Sequence, residues 1–175
     1  MTVFYIILVS ILFIFGFVVF CGAPYVPSQK KYVRRAFEKL YPLSKKDVLL
    51  DIGSGGGIIL RLASKYGAKA VGYELNPILV AISSVLSAGD KRVKVKLADF
   101  WLTKIPDDTT VIYLFAVTRD INKIINKIQL ETNRIGRKLN VISYGNQLTG
   151  QKEIGKLDAY YLYQFNPLQS DKPQV

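Results

Sequence analysis

Asp51-Ile52-Gly53-Ser54-Gly55-Gly56-Gly57 lies between an apolar run, Val48-Leu49-Leu50, and a segment at 57–66 with helical apolar spacing. Glycines in such a place let the chain turn sharply and come close to a ligand, because no Cβ stands in the way. The dinucleotide spacing G-x-G-x-x-G fails at Ile58, which leaves glycines at 53, 55 and 57 behind an acidic residue. Working outward, the pattern predicts strands at 47–52, 70–74, 93–98, 110–116 and 139–144. Between them it predicts helices at 57–66, 77–88 and 119–131. That alternation implies an α/β fold with a parallel sheet covered by helices. The tail from Lys156 to Phe165, rich in Tyr and Leu, reads as strands at a sheet edge, and no internal repeat is present.

Two more acids stand where a ligand of such a sheet would lie. Glu74 ends the second strand in Gly72-Tyr73-Glu74-Leu75-Asn76-Pro77, where a carboxylate can accept from both hydroxyls of a ribose. Asp99 ends the third strand in Ala98-Asp99-Phe100-Trp101, within reach of an adenine amino group. Any one acid at a strand end is an ordinary cap. Three at successive strand ends, one on the glycine turn, point to a nucleoside site.

Composition narrows the chemistry. The 175 residues contain no histidine and one cysteine, which removes His-based zinc sites, Ser-His-Asp triads and disulfide or Cys-cluster frameworks. No metal site is expected. There are 24 Lys plus Arg against 13 Asp plus Glu, a formal net charge of +11, and every charge lies at or beyond Lys30.

The charge-free start contains Val3 to Phe20, VFYIILVSILFIFGFVVF, relieved only by Ser10 and Gly16. As a helix these residues would span about 27 Å, close to the hydrocarbon thickness of a bilayer. A cleaved signal peptide fits less well: no basic n-region precedes the run and no A-x-A site follows it. Lys30, Lys31, Arg34, Arg35, Lys39, Lys45 and Lys46 come next, with only Glu38 among them. The positive-inside rule keeps such a flank, and the domain behind it, in the cytoplasm. These cations would rest on anionic headgroups, so membrane lipids are expected partners and nucleic acid is not. Ser28 reads as the N-cap of a short helix at about 29–41 that Pro42 ends. The expected organisation is a transmembrane anchor at 1–23, a basic juxtamembrane segment and helix at 24–46, and the working domain at 47–175.

The wording of the motifs resembles a known family. G-x-G-x-G after an acid is the pattern of class I S-adenosylmethionine-dependent methyltransferases. With the N-terminal apolar segment, Pro24-Tyr25-Val26-Pro27-Ser28, GYELNP at 72–77 and DFW at 99–101, the chain resembles small membrane-anchored protein-lysine methyltransferases. These are related to the enzymes acting on the adenine nucleotide translocase and on the c-ring protein of ATP synthase. The likeness covers roughly residues 10–145. It implies a Rossmann-like class I methyltransferase sheet, mostly parallel with an antiparallel C-terminal edge, preceded by one transmembrane helix. The cofactor implied is S-adenosyl-L-methionine, with Asp51, Gly53, Ser54, Gly55, Gly57, Glu74, Asn76, Asp99 and Phe100 as its candidate contacts. The resemblance also implies that Pro24–Ser28 closes over the active site, with Tyr25, Pro27 and Phe115 as candidate substrate-pocket residues. The family usually writes D-x-G-S-G-D-G-R, whereas this chain has Gly56 for the second acid and Ile58 for the arginine.

The implied activity is methylation of a lysine in a membrane protein by a single-pass protein of the cell membrane. The alternatives are a lipid or quinone methyltransferase, or a cofactor-binding module with weakened or lost turnover. A lysine acceptor must first lose its proton, and an apolar pocket favours the neutral amine, so a missing histidine base is no obstacle. Tyr25, Phe100, Trp101, Phe115 and Tyr144 are candidate walls, although core packing is the ordinary role of any single aromatic. The fourth strand ends in Leu114-Phe115-Ala116-Val117, not the Asn-Pro-Pro-Tyr type of ending used on amides and bases.

Overall fold

A computed structural model describes residues 1–21, 29–115 and 117–168, apart from the side chains of 13–15 and 17–21. Tyr25, Pro27 and the Pro24–Ser28 segment therefore lie outside the described residues. Helix α1 runs Thr2–Cys21. It is twenty residues long and uncharged, yet among the described residues no helix is long and apolar enough to cross a membrane. Several side chains of α1 lie outside the described ones, so the anchoring expectation rests on its sequence alone.

The sheet has seven strands: β1 Val48–Ile52, β2 Lys69–Glu74, β3 Val93–Leu97, β4 Val111–Phe115, β5 Leu139–Tyr144, β6 Glu153–Leu157 and β7 Tyr160–Phe165. Their order is β3-β2-β1-β4-β5-β7-β6, with β1 to β5 parallel and β7 antiparallel to both neighbours. The order reverses between β1 and β4, and ligands of open α/β sheets bind outside the carboxyl ends at such a reversal. β1 and β4 read VLLDI and VIYLF and are buried along nearly their whole length, as central parallel strands covered on both faces must be. β3 alternates Val and Lys, and it is one of the two edges.

Four further helices follow α1: α2 Lys30–Arg35, α3 Ile58–Lys65, α4 Pro77–Leu86 and α5 Ile121–Ile135. One core joins Val33, Phe37, Leu60 and Ala63 to Leu49, Tyr113, Ile142 and Leu162 of the sheet. The opposite core packs Ile124 and Ile128 of α5 against Leu50, Ile112, Leu139 and Val141. Successive strand residues serve opposite cores because strand side chains alternate.

The helix expected over 29–41 differs in two ways. Its N-cap is Gln29 rather than Ser28, with no side-chain capping bond, and after Arg35 it widens to a π-helical turn at Ala36–Leu40. The wide turn places Leu40 against the hairpin, where a Cβ on Gly155 would lie 3.0 Å from Leu40 Cδ1. Val33, Ala36 and Phe37 are fully buried, and Arg35 pairs with Asp158 at 3.0 Å. The helical part of 24–46 is thus built into the domain core. α5 begins after a 3₁₀ turn at Thr118–Asp120 and extends past 131, since Ile128 and Thr132 continue its buried stripe until Gly136 closes it in the left-handed region. The C-terminal hairpin starts at Glu153, not 156, and only β6 is an edge: β7 lies inside, hydrogen-bonded to β5.

Candidate active site

The turn between β1 and α3 rests on three left-handed glycines, Gly53, Gly55 and Gly57, with φ of 73°, 52° and 74°. Gly53 and Ser54 both donate their backbone N–H to the Tyr73 carbonyl, at 2.9 and 3.1 Å, so β2 props the turn from below. A Cβ on Gly57 would sit 2.0 Å from Ser83 Oγ of α4. Gly72 is equally constrained, since a Cβ there would meet Ser54 Oγ at 2.5 Å. Gly56 has neither a left-handed φ nor any neighbour within 4 Å of an added Cβ. Its carbonyl accepts from Arg61 Nη1 at 2.7 Å, so an arginine one turn into α3 holds the loop where the family pattern has one at position 58.

Three carboxylates face the carboxyl edge in different states. Glu74 is buried and committed: Oε2 accepts from the Gly55 N–H at 2.8 Å and Oε1 from the Asn76 N–H at 2.9 Å. Each oxygen keeps a second lone pair, so the ribose role is compatible with these bonds. Asp51 is 3% exposed, and its Oδ2 is buried without a hydrogen-bond partner. Burial, and then the nearby charge of Glu74, push it up to about 8. A buried acceptor with no donor is costly, and a ligand bringing an N–H or O–H group relieves it. Ser54 Oγ is likewise buried and unpartnered. Asp99 turns Oδ1 to the Trp101 N–H at 2.8 Å. Asn76 is the N-cap of α4, its Oδ1 accepting from Ile78 and Leu79 N–H.

The candidate aromatic walls divide between the two cores. Phe100 and Trp101 pack together at 5.2 Å on the α5 side, and Lys123 Nζ lies 4.2 Å over the Trp101 ring. Phe115 and Tyr144 meet at 5.8 Å on the α2–α3 side, opposite one another in the β4–β5 register. Tyr144 stacks on Tyr160 at 4.8 Å and 30°, and Tyr160 touches Tyr113 at 6.3 Å. Tyr113 is in register with Asp51, so this aromatic wall shares a sheet face with the orphaned carboxylate. Tyr113, Tyr160 and Arg61 are the residues that sequence reasoning missed. Tyr113 was within reach, two positions before Phe115 on one strand; Tyr160 depends on hairpin register and gave no local signal.

No family model matches the chain. It is 32% identical over 117 residues to the ATP synthase c-subunit lysine N-methyltransferase of Xenopus laevis, covering 65% of this chain and 50% of that protein. The Mus musculus protein of that name is 35% identical over 111 residues, 62% of this chain and 44% of the other. The chain thus spans about half the length of the curated relatives it matches. Among solved structures it superposes on an RNA methyltransferase from Salinibacter ruber in complex with S-adenosyl-L-homocysteine. The TM-score is 0.71 at 24% identity, covering 85% of this chain and 98% of that one. The chain thus has the fold of the S-adenosylmethionine-dependent methyltransferases, and its sequence is similar to the ATP synthase c-subunit lysine N-methyltransferases over 62–65% of its length.

Proposed function

We propose that this chain is a membrane-anchored methyltransferase that takes S-adenosylmethionine as cofactor and methylates a lysine side chain of a membrane protein. The observation that carries the reading is the sequence likeness to curated lysine N-methyltransferases over 111–117 residues. The residues fit the cofactor. Asp51 offers an orphaned acceptor to an ammonium or hydroxyl, Glu74 keeps lone pairs for a ribose, and Asp99 stands at the next strand end. The left-handed glycines keep Cβ atoms off the approach.

When bound, the cofactor supplies a methyl group on a sulfonium, an electrophile for in-line displacement. The protein's part is alignment, worth up to about 7–11 kcal/mol in the best cases, and control of the acceptor's proton. Phe115, Tyr144 and Tyr160 form an apolar wall that favours a neutral amine over an ammonium. Burial pushes the Tyr160 phenol up to about 12, so it stays protonated and adds no negative charge that would hold the amine's proton. In this reading α1 is the anchor: twenty uncharged residues at 1.5 Å each give about 30 Å, a bilayer core. The cations at 30–46 keep the domain on the cytoplasmic side.

Incubating the chain with methyl-labelled S-adenosylmethionine and membranes tests this. Label recovered as methyl-lysine in protein supports it. Label in the lipid extract points to a lipid acceptor, and no cofactor binding by calorimetry refutes an enzyme of either kind. A reporter fused at Val175 that proves extracytoplasmic would overturn the topology.

A further inference from the structure

We propose that Glu131, with Arg134 beside it, is a positioning residue for the cofactor's adenine. From α5 the two hold the β3–β4 connection in the shape that presents Asp99 and Phe100 to the nucleoside. This deepens the proposed function and rests on its S-adenosylmethionine reading.

A crossover between parallel strands ordinarily contains a helix. Residues 98–110, between β3 and β4, contain none, so helical bonds do not fix them. What fixes them comes from outside. Tyr73 Oη donates to the Lys104 carbonyl at 2.7 Å. Glu131 Oε2 accepts from the Ile105 N–H at 3.1 Å, and Arg134 Nη2 donates to the Ile105 carbonyl at 2.5 Å. Both backbone groups of one residue are thus taken by α5. Arg134 also pairs with Asp107, whose carbonyl accepts from Arg137 Nη2 at 2.6 Å. Ile105 itself is buried in the core that holds Phe100, Ile121 and Ile124.

Glu131 is the one acid of α5, and it is buried. A buried carboxylate is costly unless it is paired and hydrogen-bonded. Lys127 Nζ at 2.9 Å and Arg134 Nε at 2.8 Å pair with it here. An apolar side chain would avoid that cost but leave the Ile105 N–H without its acceptor. The grip adjoins the candidate site. Asp99 and Phe100 stand at the start of the same connection. Tyr73, which holds Lys104 with its hydroxyl, props Gly53 and Ser54 with its carbonyl and directly precedes Glu74. One strand end therefore ties the glycine turn, the candidate ribose acid and the adenine side together.

The full chain is titrated by calorimetry, below the onset of melting, with S-adenosylhomocysteine and with S-inosylhomocysteine, which has an oxo group in place of the adenine amino group. With Asp99 accepting from that amino group, the parent prefers the adenosyl compound by about tenfold. Glu131→Ala weakens S-adenosylhomocysteine by about tenfold and the inosyl compound little, so the preference collapses. Glu131→Gln, which keeps an oxygen for the Ile105 N–H, restores most of it. Should Glu131→Ala fail to fold, Arg134→Gln, which frees the Ile105 carbonyl, is read by the same ratio. A preference that survives these variants while melting falls makes the pair a fold staple only and overturns the proposal, as do equal losses for both compounds. A parent that binds both compounds equally overturns it and leaves the cofactor reading standing. A parent that binds neither refutes that reading and this proposal together.

Discussion

Two successive βα units of one sheet, β1–α3 and β2–α4, solve the same connection in opposite ways. At its turn the second has its polar groups paired, one of them by Gly55 of the first, although Ser83 and Ser87 in and after α4 keep unpartnered oxygens. Glu74 binds two backbone amides, Asn76 caps α4 with two more, and Pro77 occupies the first helical turn, where its missing N–H costs nothing. The first leaves its groups open: α3 has no side-chain cap, and Asp51 and Ser54 keep buried oxygens without partners. Burial runs the other way. α3 sinks Ile59, Leu60, Leu62 and Ala63 into the core, whereas the more apolar α4 buries only Ser83. The turn left with an orphaned carboxylate is thus followed by the helix that packing holds more firmly.

The largest test of that contrast is packing. Leu60→Ala should cost about 2–5 kcal/mol in chemical denaturation, while Val85→Ala on α4 stays within about 0.5 kcal/mol. Equal losses would break the comparison. Next, Gly57→Ala should cost about 1–3 kcal/mol, from its left-handed φ and the clash with Ser83. Ser83→Ala alone should be near neutral, because its Oγ has no hydrogen-bond partner to lose. It should recover part of the Gly57→Ala loss, and strict additivity in the double-mutant cycle would show that α3 and α4 do not meet there.

The third test is pH. Asp51 titrates near 8 when folded, against an ordinary aspartate value of about 3.9. The folded state therefore binds the extra proton. This contribution to stability is complete below about pH 4 and is lost as pH rises through about 8. Unliganded Asp51→Asn should be more stable than the parent by about 1–3 kcal/mol at pH 9 and should bind S-adenosylmethionine more weakly. Parallel stability curves from pH 6 to 9 would contradict the orphaned carboxylate. Smallest of all, Gly56→Ala should change melting and cofactor affinity little, within about 0.5 kcal/mol. A large loss would mean that this position still needs a bare backbone.

Much of the candidate site was legible in the sequence because its signals are local. The acid–glycine turn, Glu74 and Asp99 stand at strand ends that alternation of apolar and polar residues locates by itself. Arg61 was not legible as the residue holding the loop, since its bond to the Gly56 carbonyl needs the helix built first. The reason Gly57 must be glycine was hidden for a like cause: the obstructing atom belongs to Ser83, twenty-six residues on. Helix α5 outran its expected end because Thr132, a polar residue, is fully buried, and periodicity of apolar residues does not mark it.

By itself the sequence determined the α/β alternation, the uncharged leader and the three acids at strand ends, because each depends on neighbours within one turn or one strand. Tertiary structure alone decided which apolar helix is buried and which is left facing outward, since burial depends on what covers a face and not on its hydrophobicity. It likewise decided that Tyr144 and Tyr160 stack, and that Glu74 is satisfied while Asp51 is not. Those outcomes follow from strand order and register, which bring together groups distant along the chain.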